Sequence, residues 1–492
     1  MKKNENVELS SFEVKKIIEN FTNSLVFNSK SQSISEILSI IDSPFSDYKN
    51  NDILSMIFHR FFTNTEIPVA LPVFGFLSLI SAWCVKNKAT ITLPLDPRPH
   101  QLATWTILLA PSGSSKSMSS SIVNSMVPSD MEGEKVIKPN FHKPNGPAAF
   151  VEQVNKLDDG ELCCGFWLED EVSQMFKLVE QEGHPMNEIR EHLLKMKDNE
   201  PLSRISKGNE IKTKPVVMTQ LFINTIDSFA KHITDESMKD GLMRRYQFVM
   251  AQKDEERDFT DFDMYNVSNI RNDIMVDKFE EVFNQNIANV NFTFSKGCRQ
   301  IYKVMFKEFW YKQYVRWMTG QENFYRTYMM EAWKYAVFHH IIHLKKGYEV
   351  QEDSMQWGLK VVMLLLNSFE RFIEYRANKP QNIISQRSKV EKYIEWIRSN
   401  EGKKGFGIRA FYKRFKITKE QSIDILKNLK ANNPKLKSSI FDGISIDIEK
   451  KEEKPKPVKS KAETNKEIKT KNEIDDAFDW TDEELDSCLD GI

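Results

Sequence analysis

Ala110-Pro111-Ser112-Gly113-Ser114-Ser115-Lys116-Ser117 is the stretch on which the reading of this chain turns. A strand-like run, Trp105-Thr106-Ile107-Leu108-Leu109, leads straight into it, and a small-residue, helix-compatible stretch (residues 117–126) follows. Strand, loop and helix in that order form the setting of a phosphate cradle. Loop N–H groups and the helix N-terminus hold the phosphates in such a cradle. Lys116 would then reach the β- and γ-phosphates of a nucleoside triphosphate, and the Ser117 hydroxyl would bind Mg²⁺. The full pattern is G-x-x-x-x-G-K-[ST]; Ala110 and Ser115 stand where it has glycine. Ala110 is the milder change. Ser115 sets a Cβ where the backbone must approach phosphate closely. The competing reading of the octapeptide alone is a Ser-rich turn that happens to contain a lysine.

Downstream motifs weigh against that competitor. A nucleotide hydrolase needs a second strand carrying acids for the metal and the attacking water. Leu162-Cys163-Cys164-Gly165-Phe166-Trp167-Leu168 is a short apolar run, as expected of a strand buried on both faces, and it ends in Glu169-Asp170-Glu171. By position, Asp170 would hold Mg²⁺ through water and Glu171 would polarise the nucleophilic water. Glu169 is the bystander, although the two glutamates could trade roles. A third strand is expected over residues 215–223. Asn224 at its tip is the choice for a sensor of water or γ-phosphate, with Thr225 second. Gly241-Leu242-Met243-Arg244-Arg245 then enters Tyr246-Gln247-Phe248-Val249-Met250. An arginine just ahead of a strand suits a finger donated across a subunit interface, an effect of ~10³–10⁵ in rate. The alternative is a pair of surface arginines.

Cradle, acidic strand, polar-tipped strand and pre-strand arginine arrive in one direction within a domain-sized stretch. In this order, and in Pro72-Val73-Phe74-Gly75-Phe76-Leu77-Ser78-Leu79-Ile80-Ser81-Ala82 ahead of the loop, the chain resembles P-loop proteins of phage and plasmid replication modules. These are similar to replicative DNA helicases of the superfamily-three or RecA-like kind. The resemblance covers roughly residues 68–376; its motifs are specific for the NTPase fold and less so for helicase. Arg245 matches the family arginine better than Arg244 does. The resemblance implies an ATP- and Mg²⁺-dependent motor on DNA, assembled as a homo-oligomer, with a hexamer as the family-based size. Ala110 and Ser115 depart from the family pattern and put the hydrolysis rate in question more than the fold.

At 492 residues, with 40% hydrophobic and 28% charged residues, the chain is long enough for two to four soluble domains. Net charge is −1, so nucleic-acid binding must come from local basic patches. The five cysteines show no metal or redox spacing, and the N-terminal Met1-Lys2-Lys3-Asn4-Glu5-Asn6 leads no apolar signal region. A cytoplasmic location is therefore expected, that of the bacterial host if the gene is carried by a phage. Residues 68–85 are uncharged but short, solitary and broken by Pro68, Pro72 and Gly75, so a buried helix is expected and no membrane span.

The expected fold class is α/β, a P-loop NTPase core with its parallel sheet between helices. The expected divisions are a helical N-terminal region (1–67), the core (68–293), a helical lid (294–380), a winged-helix-like domain (386–449), a Lys/Glu-rich linker expected to be disordered (450–472) and an acidic docking tail (473–492). Two places suit DNA. In the basic stretch 202–214, Lys207-Gly208 reads as a tight hairpin turn. Superfamily-three helicases carry a lysine into their channel on such a hairpin, so Lys207, helped by Arg204 and Lys212, is expected to touch phosphate. An ordinary basic surface loop is the rival. In the C-terminal domain, three short helices precede Asp442-Gly443, a two-residue hairpin signal. The third helix opens with the capping box Thr418-Lys419-Glu420-Gln421 and would be the recognition element. Lys413, Arg414, Lys419 and Lys427 would then contact phosphates. Many winged helices bind protein instead.

Beyond residue 472 the charge turns acidic. Thr481-Asp482-Glu483-Glu484 is another capping box, and Phe478, Trp480, Leu485 and Leu489 form an apolar edge the tail cannot bury alone. This reads as a tethered docking peptide for a replisome protein, a polymerase or a single-stranded-DNA-binding protein. The runner-up is a DNA mimic that folds back on the basic channel. The functional expectation is an ATP-dependent DNA helicase or helicase-like motor. Its rivals are an initiator or helicase-loader ATPase and a DNA-tethering scaffold that binds ATP with little turnover.

Overall fold

Every residue of the run 105–110 is buried, and such an apolar strand must be covered on both faces. The computed structural model shows how. It describes residues 37, 39–41, 52–181, 183–206, 209–233, 237–238, 241–251, 262–316, 322–378, 393–394, 396–400, 407–415, 419–432 and 439–441. The chain divides into two units, Met1–Arg376 and Ala377–Ile492.

Among its described residues the first unit holds α1 (Ile53–Asn64), α2 (Ala70–Lys86), β1 (Thr90–Leu93), β2 (Asp96–Gln101), β3 (Trp105–Ala110) and α3 (Lys116–Ser125). It continues through α4 (Pro147–Asn155), β4 (Cys163–Asp170), α5 (Ser173–Val179), α6 (Glu188–Lys197), β5 (Pro201–Ser206), β6 (Asn209–Thr225) and α7 (Ile226–His232). After β7 (Gln247–Met250) come α8 (Val267–Ile270), α9 (Asp273–Phe283), β8 (Asn291–Phe294), α10 (Lys296–Arg316), α11 (Glu322–Ile342), β9 (Glu349–Val350) and α12 (Glu352–Asn378).

The main sheet has the order β4-β6-β3-β7, and these strands are parallel. β5 adds an antiparallel pairing to the first half of β6. Alternation along β6 separates the two faces. The Thr219 hydroxyl lies 2.8 Å from that of Ser81 on α2, so Thr219, Leu221 and Ile223 face α2. Phe222 points the other way, edge-on to Trp167 and to Phe176 of α5. The helix after the octapeptide, α3, packs on α2. The core is therefore α/β, a parallel sheet flanked by helices.

Residues 70–86 form the expected buried helix, with every residue of α2 before Lys86 buried. No helix among the described residues is long and apolar enough to cross a membrane. Ile53, Phe58 and Phe61 of α1 belong to the same hydrophobic core as the sheet. The region read as a lid packs along β7: the Tyr328 hydroxyl on α11 accepts from Phe248 N–H and donates to the Tyr246 carbonyl, each at 3.0 Å. Phe369 and Phe372 of α12 meet the Phe248 ring.

Sequence reasoning missed a second sheet of order β2-β1-β8-β9. Its strands span two to six residues, too short for a period to register. Pro97 and Pro99 argue against a strand, yet β2 lies at the sheet edge, where proline is tolerated.

The second unit contains α13 (Ile408–Phe415) and α14 (Lys419–Asn432) around a small core of Ile397, Phe411, Leu426, Leu429 and Ile440. The hairpin signal at Asp442-Gly443 implies a strand over 438–441, but Ser439–Phe441 is a 3₁₀ turn. Burial of Ile440 among the helices pins that turn. The rest of the expected hairpin, the linker and the tail with Phe478, Trp480, Leu485 and Leu489 lie outside the described residues.

Candidate nucleotide site

The octapeptide leaves the carboxyl end of β3. There the chain's parallel strands lie to either side, β6 on one and β7 on the other. Such a switch point leaves a crevice at the strand ends. Gly113 has φ +77°, a conformation glycine adopts freely. Ser115 occupies the helix N-cap with φ 49° and ψ 37°, also left-handed, and makes no side-chain cap. The missing second glycine is thus a backbone matter as well as one of space. Ser119 N–H makes its bond to the Ser115 carbonyl at 3.0 Å, so the amides of the first turn have no helical partner and point at the loop. Ser112 and Gly113 are exposed and Pro111 half-buried, whereas Ala110 and Ser114 are buried. The Ser114 and Ser119 hydroxyls are buried without a hydrogen-bond partner among the described residues.

Lys116 Nζ turns back over the loop to the Pro111 carbonyl at 3.3 Å. Burial lowers its pKa, while Asp170 and Glu171 push it back up, so both acids lie within electrostatic reach. Ser117 Oγ donates to Asp170 Oδ2. Strand alternation explains the pairing. Asp170 falls on the sheet face that carries α3, and Glu169 falls on the opposite face. There Glu169 Oε2 accepts from Lys143 N–H at 3.0 Å and Trp167 Nε1 at 3.4 Å. Glu171 is exposed at φ 58°, its N–H bonded to the Ile223 carbonyl at 2.8 Å.

A hydroxyl beside a carboxylate is a hard-oxygen pair that suits a cation taking its other ligands from water and phosphate. Among the described residues no cluster of three or more His, Cys, Asp and Glu could hold a metal unaided. A cleft of about 500 Å³ runs beside the pair, bounded by Ser117, Ser120, Asn124, Leu168 and Asp170.

Asn224 pairs in register with Leu109, so it ends the strand between cradle and acids. It is fully buried. Its Oδ1 accepts from Thr225 N–H at 2.8 Å, and its Nδ2 has no hydrogen-bond partner among the described residues. A buried donor left so costs about 1–3 kcal/mol, which a water or phosphate oxygen would offset. Thr225 caps α7 through Ser228 N–H at 3.3 Å.

Arg245 lies elsewhere. It precedes β7, which runs parallel to β3, so it sits at the amino ends of the strands, roughly 20 Å of strand length from its own cradle. There it bonds Asp198 Oδ2 and the Gly241 carbonyl, each at 3.0 Å. Lys334 shares that amino end, donating to the Ala103 carbonyl at 2.9 Å.

Of the residues expected to meet DNA, Arg204 is half-buried and paired with Glu188 at 2.8 Å. Lys212 is exposed opposite Ser203. Ser206 pairs with Asn209, as a hairpin between β5 and β6 requires; Lys207 itself lies outside the described residues. Lys413, Arg414, Lys419 and Lys427 are exposed on α13 and α14.

Two site residues had no signal in the sequence. Ser115 Oγ lies 2.8 Å from the Tyr265 hydroxyl, which donates to Glu66. These partners come from 150 residues downstream and from the segment between α1 and α2. Neither a scan against protein-family models nor a search of curated proteins finds a match to this chain.

Proposed function

We propose that this chain is an ATP-dependent motor on DNA, a helicase or helicase-like ATPase working as a homo-oligomer. The observation that carries the reading is the meeting of Ser117 with Asp170 at the carboxyl ends of parallel strands, with Lys116 and Glu171 beside them. The loop Ala110-Pro111-Ser112-Gly113-Ser114-Ser115 would wrap the phosphates with its backbone amides. Lys116 would leave the Pro111 carbonyl for the β- and γ-phosphates. Ser117 and Asp170 would hold Mg²⁺, which when bound neutralises charge developing on the phosphates. Glu171 would orient the attacking water, and Asn224 Nδ2 would supply a fixed donor. The position of Arg245 at the far end of the sheet supports a role on a neighbouring subunit's nucleotide. Basic residues on the β5–β6 hairpin and on α13 and α14 supply phosphate contacts for DNA.

The test is DNA-stimulated ATP hydrolysis and strand displacement on a forked duplex. Lys116→Ala and Glu171→Gln should each lower turnover at least 100-fold. Glu171→Gln should still bind MgATP. Hydrolysis that survives Lys116→Ala would refute the site. Hydrolysis without strand displacement would refute the motor and leave the site standing.

A further inference from the structure

Lys197, the last residue of α6, and Lys334, on α11, share one carboxylate. Their Nζ atoms lie 3.3 and 3.0 Å from the same oxygen, Glu331 Oε1. The three side chains are 13%, 16% and 6% exposed. Two ammonium groups on one carboxylate leave one positive charge without a counter-carboxylate and mostly out of water; the Trp105 ring 5.4 Å from Lys197 Nζ and the Ala103 carbonyl on Lys334 offset it in part, and a bound anion would complete it. Asp198 does not supply one, because Arg245 engages it at 3.0 Å.

These groups line a cavity of about 360 Å³ at the amino end of the main sheet. Arg244 also lines it, as does His100 of β2, and Ile91, Leu93 and Met330 form an apolar wall. Lys197, Lys334, Arg244 and Arg245 therefore face the carboxylates of Glu331 and Asp198. A cleft of one sign with low-dielectric walls concentrates counter-ions. A guanidinium fork beside two ammonium groups matches the oxygens of a phosphate.

We propose that this cavity binds the phosphoryl groups of a small anion, pyrophosphate or the phosphate chain of a nucleotide, at a site separate from the Lys116 cradle. The volume lies within the range of small-molecule sites. Arg244 supplies the fork, Lys197 and Lys334 the compensating charge, and Glu331 holds both lysines in place. The inference does not rest on the nucleotide reading of the octapeptide. Burial pulls the Lys197 pKa down to about 8, and Lys334 and Arg245 add to the fall against Glu331. Binding should therefore weaken as pH passes 8.

The experiment uses full-length Lys116→Ala protein titrated calorimetrically with pyrophosphate, then with ATP as competitor. One-site binding is expected. Adding Arg244→Gln should weaken it at least tenfold, and raising pH from 7 to 9 should weaken it several-fold. Lys197→Met keeps the length of the side chain and should give the same loss in a folded protein, so the result does not hang on one substitution. Competition by ATP assigns the site to nucleotides; its absence assigns it to free pyrophosphate. No binding of either probe, or binding that neither substitution alters, overturns the proposal.

Discussion

Replacing Ser115 by glycine removes one Cβ and one hydroxyl from the cradle, and the effects can be set against each other. Ser115 holds φ 49° and ψ 37°, a conformation that costs a non-glycine residue about 1–2 kcal/mol. Glycine relieves that strain. It also forfeits the 2.8 Å contact to Tyr265, worth about 1 kcal/mol net. Its extra freedom in the unfolded chain subtracts roughly 0.5–1 kcal/mol more. The terms nearly cancel, so the urea midpoint should move by no more than the equivalent of ~1 kcal/mol. Nucleotide affinity should not stay level. Without the Cβ the backbone can approach phosphate more closely, and a fluorescent ATP analogue with Mg²⁺ should bind about three- to tenfold more tightly, or ~0.7–1.4 kcal/mol. Unchanged or weaker binding in a protein with an intact urea transition would refute the idea that Ser115 obstructs the cradle. A destabilisation of about 3 kcal/mol or more would refute the strain argument.

Tyr265→Phe removes the hydroxyl that joins Ser115 to Glu66 and should lower stability by about 1.5–3 kcal/mol, read from urea unfolding, because a carboxylate loses its donor. The depressed Lys197 pKa carries a sign. The unfolded lysine titrates near its ordinary 10.5 and the folded one near 8, so between these values the unfolded state binds more protons. Stability should rise with pH across that window, and in Lys197→Met the rise should vanish. At pH 7 Lys197→Met should be neutral or stabilising, whereas Glu331→Gln should cost about 3–5 kcal/mol by stranding two ammonium groups, both read as urea midpoints.

The order of motifs along the chain determined a good deal. An uncharged run of six residues had to be a strand covered on both sides, and the uncharged stretch before it had to be a buried helix. Position along the chain assigned Asp170 to the metal; the structure adds that Asp170, and not Glu169, shares a sheet face with α3. The sequence left Glu169 and Glu171 interchangeable, because residues two apart share a strand face; the structure parts them by ending β4 at Asp170, with Glu171 beyond it at φ 58° and Glu169 Oε2 held by Lys143 N–H and Trp167 Nε1. The β2-β1-β8-β9 sheet escaped because two-residue and proline-bearing strands carry no period. The turn at Ser439–Phe441 escaped because Ile440 is buried against Ile397, Phe411 and Leu426, residues too distant in sequence for a local signal to report.

Local sequence thus determined the strand–loop–helix order around the octapeptide, the acids at the end of β4 and the polar tip of β6, since each depends on neighbours within a few residues. The tertiary structure alone decided that β6 lies between β3 and β4, that Arg245 stands at the opposite end of the sheet, and that Tyr265 and Glu66 brace Ser115. It alone gathered Lys197, Lys334 and Glu331 into one cavity. Those relations join residues up to about 200 positions apart, and only strand order and core packing bring such residues together. No pattern confined to a short window carries that information.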